Sequence, residues 1–197
     1  MSGIVQVGGV ALASHDGGTN KVSLDSGIVF PTGHVLQKVI LAEDSGDGNG
    51  IIGTQSLSFE STVIAGTFTT KMSSSDSMLV FRLYTGASYI ENADHHGQNT
   101  LCLRGSASST TYAEGDDTLG AQTYKARFGG VAHIYYPVNI SWMYKAGART
   151  PSNLTSYTAA QPLYARVFIK NTSSASTVWR PVIDDTDYIF TVEEIKI

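Results

Sequence analysis

Asp94, His95 and His96 stand side by side in the stretch ENADHHG, the one cluster in the chain with metal-ligand chemistry. Adjacent imidazoles on a loop can share a metal, and in a trimer one histidine per chain can ring the axis. Structural zinc, however, takes four spaced ligands held by a supporting hydrogen-bonded shell, which a contiguous triplet does not supply. No metal site is therefore expected. Asp44, Asp47 and Asn49 in DSGDGNG offer calcium-type oxygens, but the closing Glu and the alternate-residue ligand spacing are missing. That segment reads as a solvated turn.

Acidic neighbours occur at Asp116-Asp117, at Asp184-Asp185 with Asp187, and at Glu193-Glu194. Glycoside hydrolysis needs two carboxyls roughly 5–10 Å apart across a rigid groove. Acids adjacent on a loop, or on opposite faces of one strand, do not provide that geometry by themselves. His15, His34 and His133 have no nucleophile-elbow motif around them, and His34 and His133 read as packed or turn histidines. Cys102 is the single cysteine, which rules out an intrachain disulfide and a cysteine-based zinc site. The chain is expected not to be an enzyme and to carry no cofactor. If it has a ligand, the residue types best suited to touch it are Tyr112, Arg149 and Tyr157, in two long polar loops at 105–120 and 146–160. Aromatics and arginine dominate binding hot spots, and a tyrosine ring can stack on a sugar. Each of these side chains could instead simply cover its own loop.

The elements that must position these residues read as strands. In 197 residues, 42% are hydrophobic and only 15% charged, with 20 glycines and a formal charge of −4. Ser and Thr supply most of the polarity, which suits strands and turns better than exposed helices. No cluster of Lys and Arg is present, so binding to nucleic acid through phosphates is not expected. No apolar run approaches the ~20 residues of a membrane helix, and the first residues lack a signal-peptide pattern. Membrane insertion is not expected.

Strand character, with period-2 alternation in at least four segments, falls at 34–43, 56–60, 67–72, 77–85, 100–104, 122–128, 131–144, 162–170 and 188–197. Ser77–Thr85 carries large side chains on both faces and reads as central. In PLYARVFIK, Leu163, Ala165, Val167 and Ile169 face one way and Tyr164, Arg166 and Phe168 the other. Turns fall at Phe30-Pro31-Thr32-Gly33 and at 73–76, and Pro137 marks a bulge or break. The fold class expected is all-β: an antiparallel sandwich or jelly-roll-like single domain over 29–197, preceded at 1–28 by a Gly-rich segment that is either a virion-anchoring arm or a first edge strand.

Three stretches, in order, resemble a family of small β domains in the structural proteins of marine and freshwater phages, cyanophages especially. Val29–Gln37 (VFPTGHVLQ) is similar to the family's "VFPAGHVLQ" opening. Ser73–Val80 (SSSDSMLV) is similar to its "SSSKILV" turn into a central strand. Tyr188–Ile197 (YIFTVEEIKI) resembles its closing "F-x-x-x-E-I" strand. The resemblance implies a virion protein assembled in the host cytoplasm, acting as a homotrimeric tail-fibre or appendage module for host-surface attachment. Its N-terminal arm would contact other virion proteins and its loops a surface glycan. The alternatives are a capsid decoration protein that stabilises the head and, third, a tailspike-like glycan hydrolase.

Overall fold

In a computed structural model the chain divides into two units, Met1–His34 and Val35–Ile197. The structure describes residues 3–7, 10–16, 21–24, 31–44, 52–54, 58, 60–91, 96–105, 118–125, 133–148, 154–171, 179–182 and 187–197. All the regular elements among them are strands, as the composition and alternation predict. The first unit holds a three-stranded antiparallel meander of β1 (Gly3–Val7), β2 (Val10–Asp16) and β3 (Lys21–Leu24). The segment read from sequence as an arm thus carries paired strands of its own. The unit closes in a turn in which the His34 amide donates to the Pro31 carbonyl at 3.1 Å. Gly33 takes the positive φ (85°) that the third position of such a turn demands.

The second unit is two antiparallel sheets. The larger contains β4 (Val35–Asp44), β5 (Ile52–Thr54), β7 (Ser77–Glu91), β10 (His133–Tyr144), β12 (Trp179–Val182) and β13 (Tyr188–Lys196). Its order is β4-β13-β7-β12-β5, with β10 also paired to β7. The smaller contains β6 (Glu60–Thr69), β8 (His96–Arg104), β9 (Thr118–Lys125) and β11 (Pro162–Asn171), in the order β6-β11-β8-β9.

The central place of β7 follows from its sequence. Its alternate residues Leu79, Phe81 and Leu83 are fully buried and form rows with their cross-strand partners. These rows are Tyr144–Leu79–Glu194, Trp142–Phe81–Val192 and Ile140–Leu83–Phe190. Phe81 meets Phe68 of the opposite sheet edge-on at 5.9 Å between ring centroids, and lies against Phe190 at 6.3 Å. From the smaller sheet Ile64, Phe68, Leu101, Leu103, Leu163 and Val167 close the core. Burying such side chains contributes roughly 1.5–3 kcal/mol each, so these rows fix the register of the whole sheet.

The sheets meet edge to edge along β4 and β6. A Cβ on Gly66 would lie 2.5 Å from the Leu41 carbonyl oxygen, so only glycine permits this approach. Gln37 bridges the same seam, its Nε2 donating to the Thr69 carbonyl at 2.8 Å. Each edge is thereby shielded by the other.

Several boundaries differ from the sequence reading. The strand expected at 67–72 begins earlier, as β6 from Glu60 to Thr69, because Ile64, Gly66 and Phe68 share one continuous inward face; most of the piece expected at 56–60 lies outside the described residues. The strands expected at 77–85 and 100–104 are longer than expected: β7 runs on to Glu91 and β8 begins at His96. The short β12 was not foreseen. Pro137 interrupts the register of β10 against β7 between Tyr136 and Val138 without ending the strand, which makes it a bulge.

Candidate functional site

The side-chain network with the most polar partners is built around Glu194. This residue lies on the core-facing side of β13 and is fully buried. Four groups donate to its carboxylate. Gln37 Nε2 and the Lys71 amide reach Oε2, each at 2.7 Å. The Met72 amide at 2.8 Å and Ser77 Oγ at 2.9 Å reach Oε1. An ionised carboxylate only accepts, so two donors on each oxygen offset the loss of water that burial would otherwise make costly. Glu193, the next residue, points to the opposite face. There it pairs with Arg82 Nη1 at 2.7 Å and Lys38 Nζ at 3.3 Å. Partial burial opposes its charge, but hydrogen bonds and charge from these two cations outweigh it and hold the carboxyl below its ordinary value. The two glutamates therefore do not flank a common groove.

The Glu194 node continues into the 154–161 segment. Because Ser77 Oγ donates to the carboxylate, the Tyr157 hydroxyl supplies the proton for their 3.0 Å contact, and it also lies 3.2 Å from the Ser77 carbonyl. Tyr157 N donates to Ser74 Oγ at 3.2 Å, and Ser74 N donates back to the Tyr157 carbonyl at 3.0 Å. Thr70 N and Gln161 N make a second reciprocal pair, to the Gln161 carbonyl (3.0 Å) and to Thr70 Oγ1 (3.1 Å). Tyr157 is 3% exposed, and its ring lies 5.2 Å from that of Tyr144. Burial above all pushes its phenol well above the ordinary tyrosine range, with the Glu194 and Tyr144 charges adding to it.

This corrects the expectation that Tyr157 contacts a ligand. Leu154 and Tyr157 both turn into the core, while Thr155, Ser156 and Thr158 to Ala160 of the same segment stay exposed, so it is the Tyr157 ring itself that is packed away. Tyr112 and Arg149 lie outside the described residues, as do Asp94, His95, Asp116, Asp117, Asp184 and Asp185. Among the described residues no group of three or more His, Cys, Asp or Glu is placed to hold a metal. His34 is an exposed turn residue.

A second site lies on the outer face of the smaller sheet, a cleft of about 450 Å³. Registers place Tyr164 opposite both Thr67 and Arg104, and Arg166 opposite both Ala65 and Cys102. The two arginines are diagonal neighbours on one face, which sets their Cα atoms roughly 7–8 Å apart. Ala65 leaves the hollow, and the buried Phe168 and Cys102 lie in it beside Tyr164. None of the lining residues among the described ones is acidic. The sequence alternation of β11 had placed Tyr164, Arg166 and Phe168 on one face. It gave no sign that Arg104 of β8 would join them, because strand pairing alone decides that.

Fold and sites define an all-β protein whose second unit is two antiparallel sheets with a polar node at one end and a cleft lined by Arg104 and Arg166 on one face. No protein-family description and no characterised protein matches the chain by sequence. Among solved structures it is similar to the cowpea mosaic virus top component, with a TM-score of 0.31 and 10% identity over 86% of this chain and 90% of that one. It is also similar to broad bean stain virus, with a TM-score of 0.26 and 9% identity over 66% of this chain and 58% of that one. For the Gx strain of infectious bursal disease virus the TM-score is 0.26, with 10% identity over 90% of this chain and 44% of that one. The strand order and registers above define the fold independently of these alignments.

Proposed function

We propose that the chain is a phage virion structural protein, a trimeric tail-fibre or appendage module for host-surface attachment. One observation carries this reading. The three sequence stretches that resemble the phage family are far apart in the chain but meet at one carboxylate. Gln37 of the opening motif and Ser77 of the turn motif both donate to Glu194 of the closing F-x-x-x-E-I strand. Their strands lie side by side in the order β4-β13-β7. Motifs that resemble a family in order only could coincide by chance, whereas motifs that complete one buried hydrogen-bond cluster behave as a single structural signature. In this chain the three stretches thus share one structural role.

The fold suits such work. Rigid sheets tied at one end by the Glu194 node offer a stiff scaffold, and loops on rigid scaffolds are where binding residues concentrate. The experiment is antibody labelling of whole particles viewed by electron microscopy, with light scattering on the purified chain. Label on the tail or its appendages and a mass three times 21.0 kDa support the proposal. Label on the head overturns it in favour of capsid decoration.

A further inference from the structure

We infer that copies of this chain meet through the outer face of the larger sheet, three of them packing that face around a common axis. The inference rests on the proposed trimer and names the surface that forms it. Among the described residues the exposed large hydrophobic side chains are Val35, Ile40, Tyr84 and Met143, between 40% and 52% exposed. They come from three strands, yet the registers put all four on one face of the larger sheet. At one end of it Met78, Ile195 and Val35 form a row across β7, β13 and β4, with Val80 and Met143 paired in the next row. Towards the other end Tyr84 stands opposite Ile189. Between these apolar bands Glu193 holds Arg82 and Lys38 in the ion pairs described above. An antiparallel sheet with one wet face alternates apolar with polar residues. These strands carry apolar side chains on the core face and again on the outer one.

Three features of the face point to further copies of this chain as its cover. The first is charge. The rows across the four strands carry Lys38 and Arg82 against Glu43 and Glu193, a formal sum of zero, whereas the chain as a whole carries −4. Such a face neither repels its own copy nor draws in a polyanion or a polycation. Because Glu193 is paired within each copy, covering it leaves no carboxylate alone. The second is area. Four strands about 4.8 Å apart and four rows about 6.8 Å apart make about 500 Å² of flat sheet, and side chains standing off it add more. Two such faces reach the ~1,000 Å² of a specific interface. The third is width. A triangular prism with sides of about 19 Å holds each sheet about 5.5 Å from its axis, close to half of the ~10 Å between packed sheets. Three copies therefore fill the space between them with their own side chains.

The test is analytical ultracentrifugation of the full chain over a range of concentrations, with hydroxyl-radical labelling of Tyr84 and Met143 read by mass spectrometry. The parent is expected at three times 21.0 kDa, with labelling of both side chains falling as the chains associate. Ile40→Glu combined with Met143→Glu should raise the dissociation constant about hundredfold or more, because like charges are brought together under cover. The circular dichroism of the separated chain should stay that of the parent. Thr67→Glu, on an exposed position of the smaller sheet, should leave association unchanged. A trimer that the double variant leaves intact, or labelling that does not change with association, would overturn the face and leave the trimer standing. A parent that stays a monomer or stops at a dimer would overturn the three-fold arrangement. The labelling uses the parent protein, so it decides the matter even where the variant folds poorly. A trimer dissolved by the double variant, from particles whose antibody label lies on the head, would uphold the face and overturn the attachment reading.

Discussion

Replacing Glu194 by Gln changes one oxygen to an amide and nothing else in size, so it isolates the acceptor role of the buried carboxylate. Each carboxylate oxygen receives two donors, and an amide nitrogen can receive none. If the nitrogen takes the Oε1 place, Ser77 can rotate its hydroxyl to accept, but the Met72 amide is left without a partner. If it takes the Oε2 place, Gln37 can flip its amide, but the Lys71 amide is orphaned. Either way one buried backbone N–H loses its acceptor and one amide–amide approach becomes repulsive, a cost of about 2 kcal/mol. Glu194→Ala orphans both backbone amides and opens a small cavity, at about 4 kcal/mol. For a unit of this size about 1 kcal/mol moves the melting temperature by roughly 2–4 °C. Calorimetric melting at neutral pH and fixed protein concentration should therefore fall by about 4–8 °C for Glu194→Gln and by about 8–16 °C for Glu194→Ala. Glu193→Gln is the control. Its partners Lys38 and Arg82 have side chains 58% and 46% exposed, and such pairs contribute less than about 1 kcal/mol. A melting temperature for Glu194→Gln within about 1 °C of the parent, or a larger loss for Glu193→Gln, would refute the view that this carboxylate organises the end of the sandwich.

Tyr157→Phe should cost about 1–2 kcal/mol through the lost hydroxyl bonds to Ser77, and Tyr157→Ala about 3–5 kcal/mol through the cavity; an unchanged melt for Tyr157→Ala would restore the residue to the surface. Gly66→Ala should destabilise by about 1–3 kcal/mol and speed hydrogen exchange along β4 and β6, since the added methyl meets the Leu41 carbonyl; a neutral effect would show that the seam relaxes freely. The lowered Glu193 carboxyl implies stability that is present above the ordinary value of about 4.3 and lost as pH falls through the folded value, so acid should lower the parent's melting temperature slightly more than that of Glu193→Gln. The raised Tyr157 phenol has the opposite sense. Its contribution is complete below about pH 10 and is lost as pH rises above it, and alkaline melts of Tyr157→Phe should show a shallower decline. Removing residues 1–34 should leave the melting transition of the second unit in place, because every core residue among the described ones lies beyond Val35; loss of folding would make the first unit an integral part of the domain.

The fold class, the central place of β7 and the two faces of β11 were legible in the sequence, because side chains on a strand alternate and burial selects for the alternation. Tyr188, Phe190 and Val192 are buried together for that local reason. The order of the strands is not a local property. β13 inserts between β4 and β7 although 143 residues separate the end of β4 from its start, and only complementary burial across the whole sheet selects that arrangement. The same holds for function-bearing residues. Glu194 was one of two adjacent acids on a strand until pairing brought Gln37, Lys71, Met72 and Ser77 around it. Tyr157 looked like a loop aromatic until the segment from Leu154 folded it under Ser77. Arg104 and Arg166, 62 residues apart in the chain, became neighbours through the register of β8 on β11. Sequence alone determined which residues can sit on a half-buried strand. Tertiary pairing decided which of them share a face, because one residue of register moves every side chain to the other side of its sheet.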